Sequence, residues 1–400
     1  MMAATLPQAP FRMDQKRIAL AILLAALVLV IFRGVLPAGL IRLPEGMVLP
    51  FADWINAAFT FARDDLGLMT LTRAISDAVE ACLDVTANLL YGKSRWPHIG
   101  PIPWVVIAAT AGMAGYALAG WRLAALSAGT FVWIAVMGQW KWAMETLSVI
   151  VVAAPLSVAM GLLLGTLAWR SRLAERILNP ILNIAQSLPH FAYMIPVVVF
   201  IGVGPKAGAI VTVIFSVPPM IRMTLLGLRG VSPEIIESGK MSGTTRWQLM
   251  TRVRLPAART EILIGVNQVI MQSLAMVVLA SFIGMPGLGQ KLLQLLQALK
   301  IGLSVEIGIT IVLLAIVLDR MSKAWAVKQP EHAEGPWLHR HRLLVIWLGL
   351  VALGFALAWA HPYFSEVERR QALSMAGPVD AVVGGFIDLV DPVTDWLRWF

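Results

Sequence analysis

The chain has 400 residues, of which 58% are hydrophobic and only 14% charged, and its mean hydropathy is +0.76. A soluble domain carries about 25% charged residues, so that class is excluded. The formal net charge of +9 sits in short segments between apolar runs, where positive-inside topology accounts for it without a nucleic-acid partner.

Residues 1–42 place Arg12, Lys16 and Arg17 ahead of an apolar run that starts at Ile18. Such a start reads either as a signal peptide or as an uncleaved first span. No A-x-A site follows and the apolar character continues to Ile41, so a first span with a cytoplasmic N-terminus is expected. Residues 43–100 are net acidic. Between Leu66 and Leu90, apolar Leu68, Ile75, Val79, Cys82 and Leu83 alternate with Arg73, Asp77, Glu80 and Asp84, which predicts an extracytoplasmic amphipathic helix rather than a span. Cys82 is the single cysteine, so neither an internal disulfide nor a cysteine-based metal site is available.

Residues 101–139 predict two accessory spans, Ile102–Trp121 and Leu123–Gly138, joined at Arg122. Residues 140–325 then hold further apolar runs at Thr146–Trp169, Ile181–Gly204, Ala207–Ile221, Ile262–Ile283 and Leu303–Leu318. Gly161 and Gly165 form a GxxxG that either admits a close neighbour or occurs by chance in an apolar helix. Pro189, Pro196, Pro218 and Pro219 free backbone carbonyls, consistent with kinked packing or with a translocation path. Residues 326–360 give a basic loop and a last span, Leu343–Trp359. The tail 361–400 is acidic and amphipathic, either a surface-lying terminal helix or the lead into a second, related half. These runs predict an all-α polytopic membrane protein with about nine transmembrane helices. The loop charges put the N-terminus in the cytoplasm and the C-terminus in the periplasm.

Catalytic signatures are absent from the sequence. There is no P-loop, since GMPGLGQK lacks the Ser/Thr, and no HExxH or G-x-S-x-G. His332, His339 and His341 fall in a basic loop, while His98, His190 and His361 are isolated. Glu145, Glu306 and Asp319 lie near span ends, where an interfacial position is expected. A proton- or sodium-coupled carrier needs an acidic residue near mid-membrane, so the energy for transport is expected from another subunit.

One polar loop between the apolar runs is built differently. Across residues 222–261, Arg222, Arg229, Lys240, Arg246, Arg252, Arg254 and Arg259 outnumber Glu234, Glu237 and Glu261, which places the loop inside. Within it, Glu237-Ser238-Gly239 is followed by three residues, Gly243, nine residues, and Val253-x-Leu255-Pro256. This spacing resembles the cytoplasmic coupling motif of ABC-importer permeases, E-A-A, three residues, G, nine residues, I-x-L-P. Ser238 and Gly239 stand where that family carries alanines. Gly243 suits a tight turn with positive φ, and Pro256 would end the second helix or begin the next span.

The resemblance extends to IPVVVFIGVGPKAGAIVTVIFSVPPMIRMTLLGLRGVSPEIIESG before the motif, to GVNQVIMQSLAMVVLASFIGMPGLGQ after it, and to the ILDR-like Ile316–Arg320. These stretches are similar to permeases for glycine betaine, proline betaine and choline. The resemblance implies a five-helix permease core in a bacterial inner membrane, with no catalytic site or cofactor of its own. It also implies a cytoplasmic ATPase that carries ATP and Mg, an extracytoplasmic substrate-binding protein, and a second permease subunit, expected as a homodimer. Glu237, Ser238, Gly239, Gly243, Val253, Leu255 and Pro256 would contact the ATPase. Asn267, Gln268 and Gln272, with Pro218 and Pro219, would line a translocation path or, for the polar side chains, bond to neighbouring helices. The rival reading is an ion-coupled secondary transporter of small zwitterions.

Overall fold

The structure is a computed structural model that describes residues 49–64, 68–92, 101–328 and 342–360, with a few positions outside these blocks. Most of the first span and of the acidic tail, with His98, His332, His339, His341 and His361, lies outside the described residues. All described regular structure is helical.

Two units are distinguished, residues 1–68 and 69–400. In the first, α1 (Phe51–Asp64) is amphipathic. The second opens with most of α2 (Leu68–Tyr91), the amphipathic helix expected at Leu66–Leu90. It packs on the spans through Val79 and Leu83, which join the main core. α3 (Trp104–Ala119) and α4 (Trp121–Val136) follow, then α5 (Trp140–Arg170). α6 (Arg172–Ser187), a turn of 3₁₀ helix at His190–Tyr193, and α7 (Met194–Ile201) lead to α8 (Pro205–Arg229). Beyond the 222–261 loop come α12 (Arg259–Leu279), α13 (Leu288–Gln297), α14 (Ile301–Val327) and α15 (Arg342–Ala360).

Five helices are long and apolar enough to cross a bilayer, α5, α8, α12, α14 and α15, and six if the pair α6–α7 counts as one span. The expected count of about nine is not reached among the described residues. α3 and α4 have 16 residues each, short of the roughly 20 a straight crossing needs. The span expected at Ile181–Gly204 is not straight. α6 and the segment His190–Ile201 meet at 120°. The bend falls at Leu188–Pro189, because a residue before proline is driven out of the helical region, and Leu188 is extended at ψ 138°. By contrast Pro218 and Pro219 sit inside an unbroken α8.

α8 is the central element: 61% of its span window is buried, against 6% for α15. Water drives no helix association inside lipid, so close backbone approach and polar contacts must hold the bundle. Both are present. A Cβ at Gly161 would lie 2.4 Å from Met220, and one at Gly165 would lie 2.6 Å from Thr224 Cβ and 2.9 Å from the Ile221 carbonyl. The GxxxG is therefore the α5–α8 seam. On the other flank Gly265 of α12 accepts Met220 and Met223, and Ser216 and Ser273 hydrogen-bond across the buried interface at 3.0 Å.

The accessory helices are tied on by side chains. Trp133 Nε1 of α4 donates to Thr310 of α14 at 3.0 Å, and Trp347 Nε1 of α15 donates to Thr110 of α3 at 3.2 Å. Glu306, expected at an interfacial position, is buried among the helices and accepts from Gln139 Nε2 at 2.9 Å. In the glycine-rich turn after α12 the Leu288 N–H donates to Thr146 Oγ1 at 2.9 Å, which ties the turn to α5.

Gly165→Val should force α5 from α8, with a loss of about 1–3 kcal/mol for an overpacked seam. Thermal unfolding of the purified protein in detergent checks this. Gly308→Ala, where an added Cβ meets nothing within 4 Å, should leave the transition unchanged or raise it.

Candidate functional site

The polar loop forms a helical hairpin at one end of the bundle. α8 ends at Arg229, and Pro233 opens α9 (Pro233–Met241) from the first helical turn, where its missing N–H costs nothing. Glu234 lies in that first turn; its own backbone N–H and then the Ser232 hydroxyl hold its carboxyl below the usual range. An ionised side chain there complements the helix N-terminus. Gly243 turns the chain with φ +72° and open space around its Cα.

Thr245 then starts the second arm with a capping box. Its Oγ1 accepts from the Gln248 N–H at 3.3 Å, and its own N–H donates to Gln248 Oε1 at 2.9 Å. The arm runs from α10 (Arg246–Gln248) through a π turn at Leu249–Arg254 into α11 (Leu255–Ala257). Pro256 falls where regular α bonding fails. Its ring supplies no N–H and crowds the carbonyl four residues back, so the preceding turn widens. The chain breaks at Ala258 before α12, so Pro256 sits at the end of the second arm, as one of its two expected positions.

Gly239 is buried where the arms cross. A Cβ there would sit 2.9 Å from Leu249 Cδ1 and 3.1 Å from Val253 Cγ2. Val253 and Leu255 are half-buried beneath the hairpin, while Glu237, Ser238 and Pro256 are exposed. A second small core made of Leu228, Val231 and Ala258 fastens the hairpin to the bundle, with Trp169, Ile236, Met250, Leu255 and Ile262 against it. The Arg254 guanidinium stacks over the Trp169 ring at 4.5 Å. Thus the hairpin rests on the ends of α5, α8 and α12 together. Its outer face carries Met241 at 89% exposure and Trp247 at 75%.

The structure places the second set of expected residues in different surroundings. Asn267 accepts from the Ser322 hydroxyl of α14, so it ties helix to helix. Gln268 is exposed, and Gln272 is half-buried with a buried Oε1 that has no partner among the described residues. Pro218 and Pro219 are buried in α8. Trp169 and Arg254, which sequence reasoning did not single out, join the hairpin to α5. A tryptophan closing an apolar run and an arginine inside the motif were the available signals.

A helical bundle with a small-residue seam and a two-armed hairpin on its ends defines a class, the multi-pass helical membrane proteins, and among the described residues no three metal-ligating side chains come together. Residues 157–326 match the family of the binding-protein-dependent transport system inner membrane component. A trimethylamine N-oxide transport system permease protein of Ruegeria pomeroyi is 56% identical over 373 residues, covering 92% of this chain and 56% of that one. The glycine betaine transport system permease protein OpuAB of Bacillus subtilis is 33% identical, covering 72% of this chain and 96% of that one. ProW of Escherichia coli, a glycine betaine/proline betaine permease, is 38% identical over 69% of this chain and 75% of its own.

The chain belongs to the family of inner-membrane permease components of binding-protein-dependent ABC importers. It spans about half the length of the two trimethylamine N-oxide permeases it matches.

Arg254→Met should free the second arm from Trp169 at a loss of about 0.5–1 kcal/mol. Faster amide exchange across residues 246–257, with residues 259–279 unchanged, is the expected reading.

Proposed function

We propose that this chain is the membrane-spanning subunit of an ATP-driven importer for small quaternary ammonium or amine oxide solutes such as glycine betaine, choline or trimethylamine N-oxide. The observation that carries the mechanism is the hairpin Pro233–Ala257, seated on the ends of three core helices and turning exposed Glu237, Met241 and Trp247 outward. A cytoplasmic ATPase docks on that face and holds ATP and Mg. Its closure moves the hairpin, and the small core under Leu228, Val231 and Ala258 passes the displacement to α5, α8 and α12. Transport requires two discrete arrangements of these helices, each favoured by a different nucleotide state. A second permease subunit, most simply another copy, completes the path, and a soluble binding protein delivers cargo at the opposite end.

The relatives named for trimethylamine N-oxide and for glycine betaine support the cargo class. Both cargoes carry a methylated nitrogen and a compensating oxygen anion. The hairpin lies in the cytoplasm in this reading, which fits its arginines and lysines. An ion-coupled carrier is not favoured. The family fits an importer driven by a partner, and the buried Glu306 is engaged with Gln139.

Glu237→Arg and Gly243→Val test the reading. The first reverses a charge on the docking face; the second forces a β-branched side chain into a left-handed turn. Each should cut uptake of labelled glycine betaine and trimethylamine N-oxide by about tenfold or more, equivalent to about 1.4 kcal/mol. The assay is run in cells co-expressing the ATPase and binding protein, with protein level in the membrane unchanged. Uptake at the parental rate with both variants would sink it.

A further inference from the structure

At the bundle end opposite the hairpin, α2 leans across the start of α8 and encloses a cavity of about 410 Å³. Two chemistries line it. One wall is charged or polar, with Arg73, Ser76 and Asp77 of α2 and Lys206 at the start of α8; the other is the apolar end of α7, Val198–Ile201. Lys206 Nζ is also bound to Glu80 at 3.2 Å, which fixes α2 against α8.

Ser76 is only 3% exposed, and its hydroxyl has no hydrogen-bond partner among the described residues. A buried hydroxyl left unpaired is costly, so it marks a place for a ligand oxygen. The cations Arg73 and Lys206 flank it, and Asp77 lies one helical turn from Arg73. The charged groups around the cavity, Arg73 and Lys206 against Asp77 and Glu80, balance.

We propose that this cavity holds the headgroup of a zwitterionic phospholipid bearing a primary amine, of the phosphatidylethanolamine type. The phosphodiester accepts from Arg73, Lys206 and the Ser76 hydroxyl, as charge-assisted bonds favour. The ammonium donates to the Asp77 carboxylate. A balanced site suits a neutral zwitterion better than a net anion, and a carboxylate acceptor suits N–H donors better than a methylated nitrogen. The acyl chains have a path. Val199 of α7 lines the cavity and is exposed, and Val203, also exposed, follows Gly202 of the same wall. An amphipathic helix at a span end belongs at headgroup depth.

Native mass spectrometry of the full chain, released from nanodiscs of equal phosphatidylethanolamine and phosphatidylglycerol, tests the assignment. Retained lipid should be phosphatidylethanolamine by about tenfold. Asp77→Asn should erase that preference, and Arg73→Gln should lower retention of both lipids. Ser76→Ala, too small a change to threaten folding, should lower phosphatidylethanolamine retention several-fold. Soluble glycerophosphoethanolamine and glycine betaine should compete only weakly. Equal retention of the two lipids by the parent chain, or variants that bind as it does, would overturn the proposal. Displacement by either soluble zwitterion at the lipid's own affinity would overturn the lipid source.

Discussion

Everything in this bundle depends on how closely α8 approaches its two neighbours. Lipid offers no hydrophobic gain for bringing apolar helices together, so association rests on dispersion at short range and a few polar contacts. Gly161 and Gly165 let α5 meet Met220, Ile221 and Thr224 almost backbone to backbone. Gly265 does the same for α12. Because α8 is gripped from both sides, Pro218 and Pro219 can sit inside it without breaking it. Ser216–Ser273 and Asn267–Ser322 add polar ties that hold register rather than drive assembly.

That tight centre gives the hairpin its mechanical meaning. A loop attached to one helix would move alone. This one shares a small core with the ends of α8 and α12, and Arg254 stacks on Trp169 at the end of α5. A displacement of the hairpin therefore reaches three helices at once, and these are the helices already in closest mutual contact. The two arms are rigid for local reasons. The capping box fixes the start of the second, and Gly239 lets Leu249 and Val253 close against the first. An alanine at that position would demand a shift of the Leu249 tip, which a flexible side chain can give.

The opposite end is organised by charge rather than by glycine. Glu80 and Lys206 hold the amphipathic α2 against the first turn of α8. At its other end α2 is tied to α5, where Trp140 Nε1 donates to the Leu90 carbonyl at 3.4 Å. The charged face of α2 and the basic hairpin therefore lie at opposite ends of α8. The peripheral helices are lightly attached by comparison. α15 touches the rest through Gly354 against Val106 and Trp347 on Thr110.

The amino-acid sequence alone determined what local chemistry controls. Apolar run length marks the long helices, because a buried backbone must bond to itself. Alternating charge orders the loops. The spacing from Glu237 to Pro256 carries the hairpin, since a left-handed turn needs glycine and a helix end tolerates proline. Only the tertiary structure decided what depends on partners distant in the chain. It made the GxxxG a seam and not a coincidence, because Met220 and Thr224 come from another helix. It buried Glu306, because Gln139 arrives from 167 residues away. It bent the run 181–204 at Pro189 while leaving Pro218 and Pro219 straight, since a proline's effect depends on whether neighbours clamp the helix around it. It also separated Asn267 from Gln268 and Gln272. Adjacent positions on a helix face different neighbours, and sequence periodicity names the faces without saying what stands opposite each.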